Sequence, residues 1–337
     1  MNQDTPLERV QVGSATAMIL DESVDAGAKA EFLKALANKG ETPVEIAAFV
    51  DAFLDHAVDP GLSPEQVDGP MLDVCGTGGD KLDLFNVSTT SIFVLAAGGA
   101  CVVKHGNRGI TSKSGGADVL EALGVRIDLP PDECAETIRR HGLGFMFAPI
   151  YHPAFKAVVP VRKQLAAEGV RTIFNILGPL LNPVRPDYQL VGVFSDELTS
   201  PFADILKQLG RKAAWAVHGK TGDGRGMDEL STLSESQTTQ LAPGGDISEV
   251  IVDPAELGFS KPDLADLQGG DAAVNAAILT AVLDGSERGA KRDIVLLNSA
   301  AGLVICGIAE DLPAGIERAA EAIDSGRALE RLRALQA

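Results

Sequence analysis

Two loops in the sequence carry the residue types needed to hold a phosphorylated ligand. The first is Asp73-Val74-Cys75-Gly76-Thr77-Gly78-Gly79-Asp80, continued by Phe85-Asn86-Val87-Ser88-Thr89-Thr90. Residues 71–74 read as the end of a short buried strand. Ile92, Phe93, Ala96 and Ala97 then recur with helical spacing before Gly98-Gly99. Strand, glycine-rich loop and helix in that order expose backbone N–H groups at a helix start, an arrangement that suits an anion. Asn86, Ser88, Thr89 and Thr90 add side-chain donors at the same place. A sharp turn alone would also call for these glycines. The spacing matches neither G-x-G-x-x-G, since Lys81 stands where the third glycine belongs, nor G-x-x-x-x-G-K-[ST].

The second loop, residues 104–118, reads KHGNRGITSKSGGAD. Lys104, Arg108 and Lys113 bring three cations, and Thr111, Ser112 and Ser114 three hydroxyls, into one flexible stretch between a strand at 101–103 and a helix at 117–123. The whole chain has a formal net charge of −18, so this is a strong local reversal of sign. Such a loop can wrap a phosphate or pyrophosphate with backbone donors, hydroxyls and charge together. The alternative is a solvated polar loop. A third candidate is Asp228-Glu229, beyond a strand at 214–217 and the pair His218-Gly219. Adjacent carboxylates past a strand end suit Mg²⁺, which prefers oxygen ligands and often bridges carboxylates and substrate phosphates. In isolation, such a pair is more often simple surface charge.

The elements that must position these groups are an α/β set. Candidate strands at 71–74, 101–103, 145–148, 190–194, 214–217 and 294–297 alternate with helical stretches such as 117–123 and 132–140. That alternation predicts a mainly parallel sheet with ligands gathered at the strand ends. The first seventy residues are helical in pattern. Thr42-Pro43-Val44-Glu45 forms a helix start with a capping box, and Ile46, Phe49, Val50, Phe53 and Leu54 follow as an apolar stripe. That stripe could pack on the main domain or on a second copy of the chain. The expected division is a helical domain over 1–68 and a larger α/β domain over 69–337. Residues 158–186, with Pro160, Pro179, Pro183 and Pro186, form a helical or hinge excursion back toward the helical domain. The tail from Ala314 reads as one closing helix.

At 337 residues the chain can bury a large core, and its 45% apolar and 23% charged residues are ordinary for a globular protein. Cys75, Cys101, Cys134 and Cys306 are scattered, without a C-x-x-C pair, and are expected to be structural thiols. No apolar run reaches membrane-spanning length and the N-terminus lacks a secretory pattern, which gives an expected cytoplasmic location. The charge of −18 argues against nucleic-acid and anionic-membrane partners.

Taken together, GTGGD with FNVST, KHGNR with SKSGGADVLEALG, Phe147-Ala148-Pro149-x-x-His152-Pro153-Ala154, Pro160-Val161-Arg162, and the run RTIFNILGPLLNP from Arg171 to Pro183 resemble the anthranilate phosphoribosyltransferases of the tryptophan pathway. The resemblance runs in order from about residue 70 to 230. It implies Mg²⁺-dependent transfer of phosphoribosyl from phosphoribosyl pyrophosphate (PRPP) to the amine of anthranilate, with release of pyrophosphate. Carried onto matching positions, it implies that Gly76, Gly79, Asp80, Asn86, Val87, Ser88, Thr89, Lys104, His105, Gly106, Asn107, Arg108, Gly109, Ile110, Thr111, Ser112 and Gly116 hold PRPP. It implies that Gly76, Asn107, Arg162, His152 and Gly178 face anthranilate, with His105 and Phe155 along the same channel. It also implies that Ser88, Asp228 and Glu229 serve the metal, that no indispensable general base is needed, and that the chain forms a homodimer. The planar fork of Arg162 suits a carboxylate.

The sequence departs from the family pattern at Lys81, where glycine is usual, at Leu84, where a phosphate-binding threonine is common, and at Gly116, where serine is often found. The stretch between His218 and Asp228 is about four residues longer than the resemblance leads one to expect. Two other readings stand beside this one. A pyrimidine nucleoside phosphorylase shares the fold type but lacks the KHGNR and GPLxNP elements. A non-catalytic nucleic-acid-binding relative would want a basic surface, which this chain lacks.

Overall fold

The computed structural model describes residues 5–80, 82–109 and 113–337. Eight strands form one sheet: β1 (Met71–Gly76), β2 (Cys101–Gly106), β3 (Leu143–Phe147), β4 (Tyr188–Gly192), β5 (Ala213–Lys220), β6 (Gly226–Met227), β7 (Ser236–Leu241) and β8 (Ile247–Val252). Their order is β3-β2-β1-β4-β5-β7-β8, with β6 paired to β5 off that path. The first five run parallel, and β6, β7 and β8 are joined antiparallel. The carboxyl ends of the five parallel strands therefore lie on one edge of the sheet. The order reverses between β1 and β4, the place where an open α/β sheet opens a crevice for a ligand.

Both faces of the sheet are covered, as expected for parallel strands with nearly continuous apolar runs. Neighbouring residues go to opposite sides. Leu72, Val102, Leu190 and Trp215 join a core built with α4 (Val87–Gly98) and the C-terminal helices. On the other side Val191, Val193, Ala214 and Ala216 pack with α1 (Arg9–Leu20), α2 (Ala26–Lys39), α3 (Pro43–Leu54) and the 158–181 segment. The helix start at Thr42 forms as the sequence implies. Thr42 Oγ1 accepts the Glu45 N–H at 3.3 Å, and Glu45 Oε2 accepts the Thr42 N–H at 3.0 Å. The stripe Ile46, Phe49, Val50, Phe53 and Leu54 is buried within the chain itself. Exposed apolar residues of the helical region are instead Val10 and Val44.

Residues 294–297, expected as a strand, lie in the helix Ala290–Ile305. A short, fully apolar run fits a buried helix as well as a buried strand. Here the helix is enclosed, with Ile294 to Gly302 all buried, and Gly302 and Gly315 admit close packing against Leu95 and Ala300. The hairpin of β7 and β8 has no counterpart among the expected strands: β7 is polar and rich in threonine and glutamine, and β8 is an edge strand with most of its residues exposed. Its turn, Pro243-Gly244-Gly245-Asp246, is the available signal. The closing helix is two helices, Leu312–Asp324 and Arg327–Gln336, broken at Gly326 with φ +81°.

A buried polar lattice joins the 178–182 turn to the strand ends. Asp73 Oδ2 accepts from Asn182 Nδ2 at 3.0 Å, and the same amide donates to the Val103 carbonyl at 2.7 Å. Gln189 Nε2 donates to the Pro179 carbonyl at 2.5 Å, and its Oε1 accepts from Arg211 Nε at 3.0 Å. Asn182→Ala would strip two acceptors of their donor in a dry interior. The expected loss is about 2–3 kcal/mol of stability, read from urea titration. A loss no larger than a few tenths of a kcal/mol would show that this turn is not anchored here.

Candidate active site

The glycine-rich loop leaves β1 at Gly76 and is tied to β4 at once, the Thr77 N–H donating to the Gly192 carbonyl at 3.0 Å. Close approach decides two of the glycines. A Cβ on Gly76 would stand 2.6 Å from Asp228 Oδ2, and one on Gly192 only 1.6 Å from the Asp228 carbonyl oxygen. The Gly78 N–H donates to Asp228 Oδ2 at 2.5 Å. Gly79 packs on Phe194, whose Cβ lies 3.0 Å from where a Cβ would stand. The loop is thus closed down on the segment that carries the acidic pair.

Behind it, α4 begins at Asn86. The Asn86 amide donates to the Ser114 carbonyl at 3.1 Å and its oxygen accepts from Asn275 Nδ2 at 2.8 Å, so this residue sews the two predicted loops together. Val87 is buried and its N–H donates to the Phe85 carbonyl at 2.8 Å. Its side chain belongs to the core. The Ser88 N–H donates to Glu229 Oε1 at 3.2 Å, and its hydroxyl accepts from Lys104 Nζ at 3.2 Å. Lys104 is itself buried and also donates to the Val74 carbonyl at 2.5 Å. A Cβ at Gly116 would come within 2.9 Å of the Thr89 hydroxyl, so the glycine there makes room for that group. Leu84 packs against the core and bridges Gln268.

In the basic loop, Arg108 is engaged by the helix Gly116–Ala122. Its guanidinium makes a paired contact with Glu121 at 2.6 and 2.9 Å and a third with Asp118 at 3.2 Å, over the Phe147 ring. Asp118 also accepts the N–H groups of Gly109 and Gly115, each at 2.8 Å. Asn107 is exposed, with Oδ1 accepting the Arg108 N–H at 2.8 Å, and Gly106 rests on the Phe145 ring. Lys81, Ile110, Thr111 and Ser112 lie outside the described residues.

The longer stretch before Asp228 is absorbed by a hairpin. β5 runs on to Lys220 and pairs with β6, Gly219 opposite Met227 and Lys220 opposite Gly226. Thr221, Asp223 and Arg225 close the exposed tip among themselves. After β6 the backbone of Leu230 is clamped by Asn298, which accepts its N–H and donates to its carbonyl, both at 2.9 Å. Asp228 and Glu229 are thereby delivered to the glycine-rich loop. Burial and the nearby Asp80 push the Asp228 carboxyl up to about 7. Burial and Asp228 push Glu229 up to about 8, against the opposing pull of Lys104 and the Ser88 N–H.

Acids held in this way are short of positive charge. Among the described residues no group of three or more His, Cys, Asp and Glu side chains forms a metal cage. An open carboxylate pair with a serine hydroxyl beside it nevertheless fits Mg²⁺, which commonly completes its shell with water and substrate phosphates.

The second side of the site is aromatic. The His105 N–H donates to Asp73 Oδ1 at 3.3 Å, and its ring packs edge-on to His152 with centroids 5.2 Å apart. Burial and His152 drive the His105 pKa down to about 3, and burial lowers that of His152. Both rings are therefore neutral near pH 7. His152 Nε2 stands 2.9 Å from the Leu181 carbonyl, while its Nδ1 and His105 Nε2 are buried without a hydrogen-bond partner. Phe155 continues the stack from His152 to Phe174 and Phe53. The Arg162 guanidinium lies over the Phe174 ring at 5.5 Å, and among the described residues it has no carboxylate or carbonyl partner. A Cβ at Gly178 would meet nothing within 4 Å, so this residue borders open space.

Comparison with known proteins places the chain in a family. Residues 68–329 match the model of a family described as "Glycosyl transferase family, a/b domain". The anthranilate phosphoribosyltransferase of Mesorhizobium japonicum is 46% identical over 330 residues, covering 97% of this chain and 93% of that protein. The enzyme of that name from Methanocorpusculum labreanum is 45% identical over 314 residues, covering 93% and 88%. The chain belongs to the anthranilate phosphoribosyltransferase family. The crystal structure of the Thermus thermophilus member superposes with a TM-score of 0.89 at 38% identity, covering 99% of this chain and 97% of that one. The Saccharomyces cerevisiae member in complex with PRPP and Mg gives 0.83 at 27% identity, covering 97% and 91%.

Within this family frame, several site-forming residues carried no signal of their own. Asp73 and Asn182 belong to quoted motifs, yet their mutual contact across the sheet is visible only in three dimensions. Asn275 lies far along the chain in the helix Ala272–Leu283, and Asn298 directly follows the run 294–297 expected as a strand. Phe194 ends the run expected as a strand at 190–194, lies two residues beyond β4, and looked like one more apolar residue.

The raised acids have a consequence for stability. Between their ordinary values of 3.8 and 4.5 and the raised values, Asp228 and Glu229 keep protons in the folded, metal-free protein that the unfolded chain has lost. Stability without metal therefore falls as pH rises through that window and levels off above about 8. Mg²⁺ needs the deprotonated pair, so it should raise Tm more at about pH 8 than at about pH 5.5. Thermal melts with EDTA and with Mg²⁺ at both pH values check this, and equal metal effects would place the ion elsewhere.

Proposed function

We propose that this chain transfers the phosphoribosyl group of PRPP to the amine of anthranilate, giving N-(5-phosphoribosyl)anthranilate and pyrophosphate in tryptophan biosynthesis. The observation that carries the reading is the juxtaposition of two unlike subsites across His105. On one side lie the glycine-rich loop, Ser88, Lys104 and the acidic pair. On the other lie His152, Phe155, Gly178 and the unpartnered Arg162. Gly76, Gly79, Asp80, Asn86, Ser88, Thr89, Lys104 and residues 105–112 with Gly116 are the PRPP side. Gly76, Asn107, His152, Arg162 and Gly178 are the anthranilate side. The helical unit comprises residues 1–68 with the 158–186 excursion, and residues 69–337 form the PRPP-binding unit.

The chemistry follows from these surroundings. Breaking the bond from C1 of the ribose to pyrophosphate leaves growing positive charge on the ring and negative charge on the departing oxygens. Lys104, whose ammonium stands beside Ser88, supplies positive charge against that negative charge. Asp228, Glu229 and Ser88 would hold Mg²⁺, which supplies further charge neutralisation on pyrophosphate when bound. Arg162 fixes the anthranilate carboxylate through its planar fork, and the neutral rings of His105 and His152 border the aromatic body. The amine needs placement more than activation, so proximity contributes much of the rest. Its proton passes to solvent, and no single side chain is required as a base. The chain is proposed to act in the cytoplasm as a homodimer through its helical unit, where Val10 and Val44 remain exposed.

Loss of anthranilate fluorescence on adding PRPP and Mg²⁺ tests the reaction directly. Arg162→Ala should raise the anthranilate KM about 10- to 100-fold, the equivalent of a lost charged hydrogen-bond pair of about 1.5–3 kcal/mol. The PRPP KM should stay within about twofold of its starting value. Equal rises for both substrates would remove Arg162 from the carboxylate.

A further inference from the structure

Arg171 has no part in the site as described so far, yet it stands where the helical excursion meets the glycine-rich loop. It precedes the turn Ile173–Asn175, and its guanidinium carbon lies 4.4 Å from the centroid of the Phe194 ring. Phe194 in turn presents Cβ, Cγ and Cδ1 at 3.0–3.1 Å from where a Cβ on Gly79 would stand. Arg171 is therefore one ring away from the loop. It is exposed, and among the described residues it makes neither an ion pair nor a hydrogen bond. Several other arginines of this acidic chain are taken up by carboxylates, as Arg9 and Arg185 are by Asp51, Arg126 by Glu133 and Arg292 by Asp324. Stacking on a ring orients a guanidinium while leaving its N–H edge free for an anion.

The charge balance of the anion side points the same way. A pyrophosphate there would face Asp80, Asp228 and Glu229. The nearest buried cation is Lys104, and Arg108 is held by Glu121 and Asp118. We infer that Arg171 is a binding residue for the pyrophosphate group of PRPP, contributed by the helical excursion across the Phe194 ring. The inference rests on the PRPP reading above. It adds that the 171–182 segment touches both substrates, Arg171 at the phosphate end and Gly178 at the aromatic end. Phosphate binding by Arg171 then draws toward the sheet the same segment that borders the anthranilate channel.

The test compares the wild-type protein with Arg171→Ala and Arg171→Lys. Calorimetry reads the affinity for inorganic pyrophosphate with Mg²⁺, and fluorescence kinetics read both KM values. Arg171→Ala should weaken pyrophosphate binding and raise the PRPP KM by about tenfold or more, with the anthranilate KM within about twofold. Arg171→Lys should recover part of the loss, since it restores charge without the fork. A lowered Tm with unchanged pyrophosphate affinity would identify a purely structural stack and overturn the inference. So would a rise in the anthranilate KM alone, or a wild-type protein that binds no pyrophosphate. A wild-type protein that binds pyrophosphate but does not consume anthranilate would defeat the reaction reading. The calorimetric comparison would still decide the role of Arg171.

Discussion

The structure depends on one close approach, that of the Asp228 backbone and carboxyl to the glycines of β1, β4 and the loop between them. Gly76 and Gly192 have no side chain because Asp228 occupies the space, and the Gly78 N–H is spent on its carboxylate. Glu229 follows and takes the Ser88 N–H at the start of α4. The donors that a helix start and a glycine-rich loop would offer an anion are thus partly engaged by the protein's own acids. Gathering the acids in a buried place has a cost, which appears in the raised affinity of both carboxyls for protons, set by burial and by the neighbouring acids against the pull of those donors. A cation at this point would relieve that cost.

A second constraint makes the two subsites a single unit. Asp73, buried at the centre of β1, accepts from the His105 backbone and from Asn182 of the 178–182 turn. Lys104 lies on the same strand as His105 and points its ammonium at Val74 and Ser88. One carboxylate therefore fixes both the strand that carries Lys104 and the 178–182 turn. Burial raises the Asp73 pKa, while Lys104 is the foremost group opposing that rise. Buried charge of this kind is tolerated when it is paired and hydrogen-bonded, as it is here.

The chain also shows how an acidic protein can hold a strongly anionic substrate. Its net charge of −18 is spread over the surface, where several arginines are neutralised by neighbouring carboxylates. Cations without such partners stand out against that background. Arg162 and Arg171, both stacked on aromatic rings, come from one excursion of the helical unit. The sheet supplies the donors and acids, and the helical side supplies free positive charge.

Much of this was legible in the sequence. The α/β class, five parallel strands and the two loops follow from local chemistry: glycines where the backbone must turn, apolar runs bounded by turn residues, a capping box at Thr42. Long ordered motifs identified the family, because many residue types at set spacings leave little freedom. The sequence could not separate strand from helix at 294–297, since a fully buried segment has no polar face to betray its period. It suggested a spare apolar stripe at Ile46–Leu54 that the tertiary structure consumes internally. Only the fold could show that the extra residues before Asp228 become an outlying hairpin, that Arg108 is held by Glu121, and that Asn298 and Asn275 steady the site. The two asparagine contacts join residues 68 and 189 positions apart, and no local pattern records which distant groups the chain will bring together.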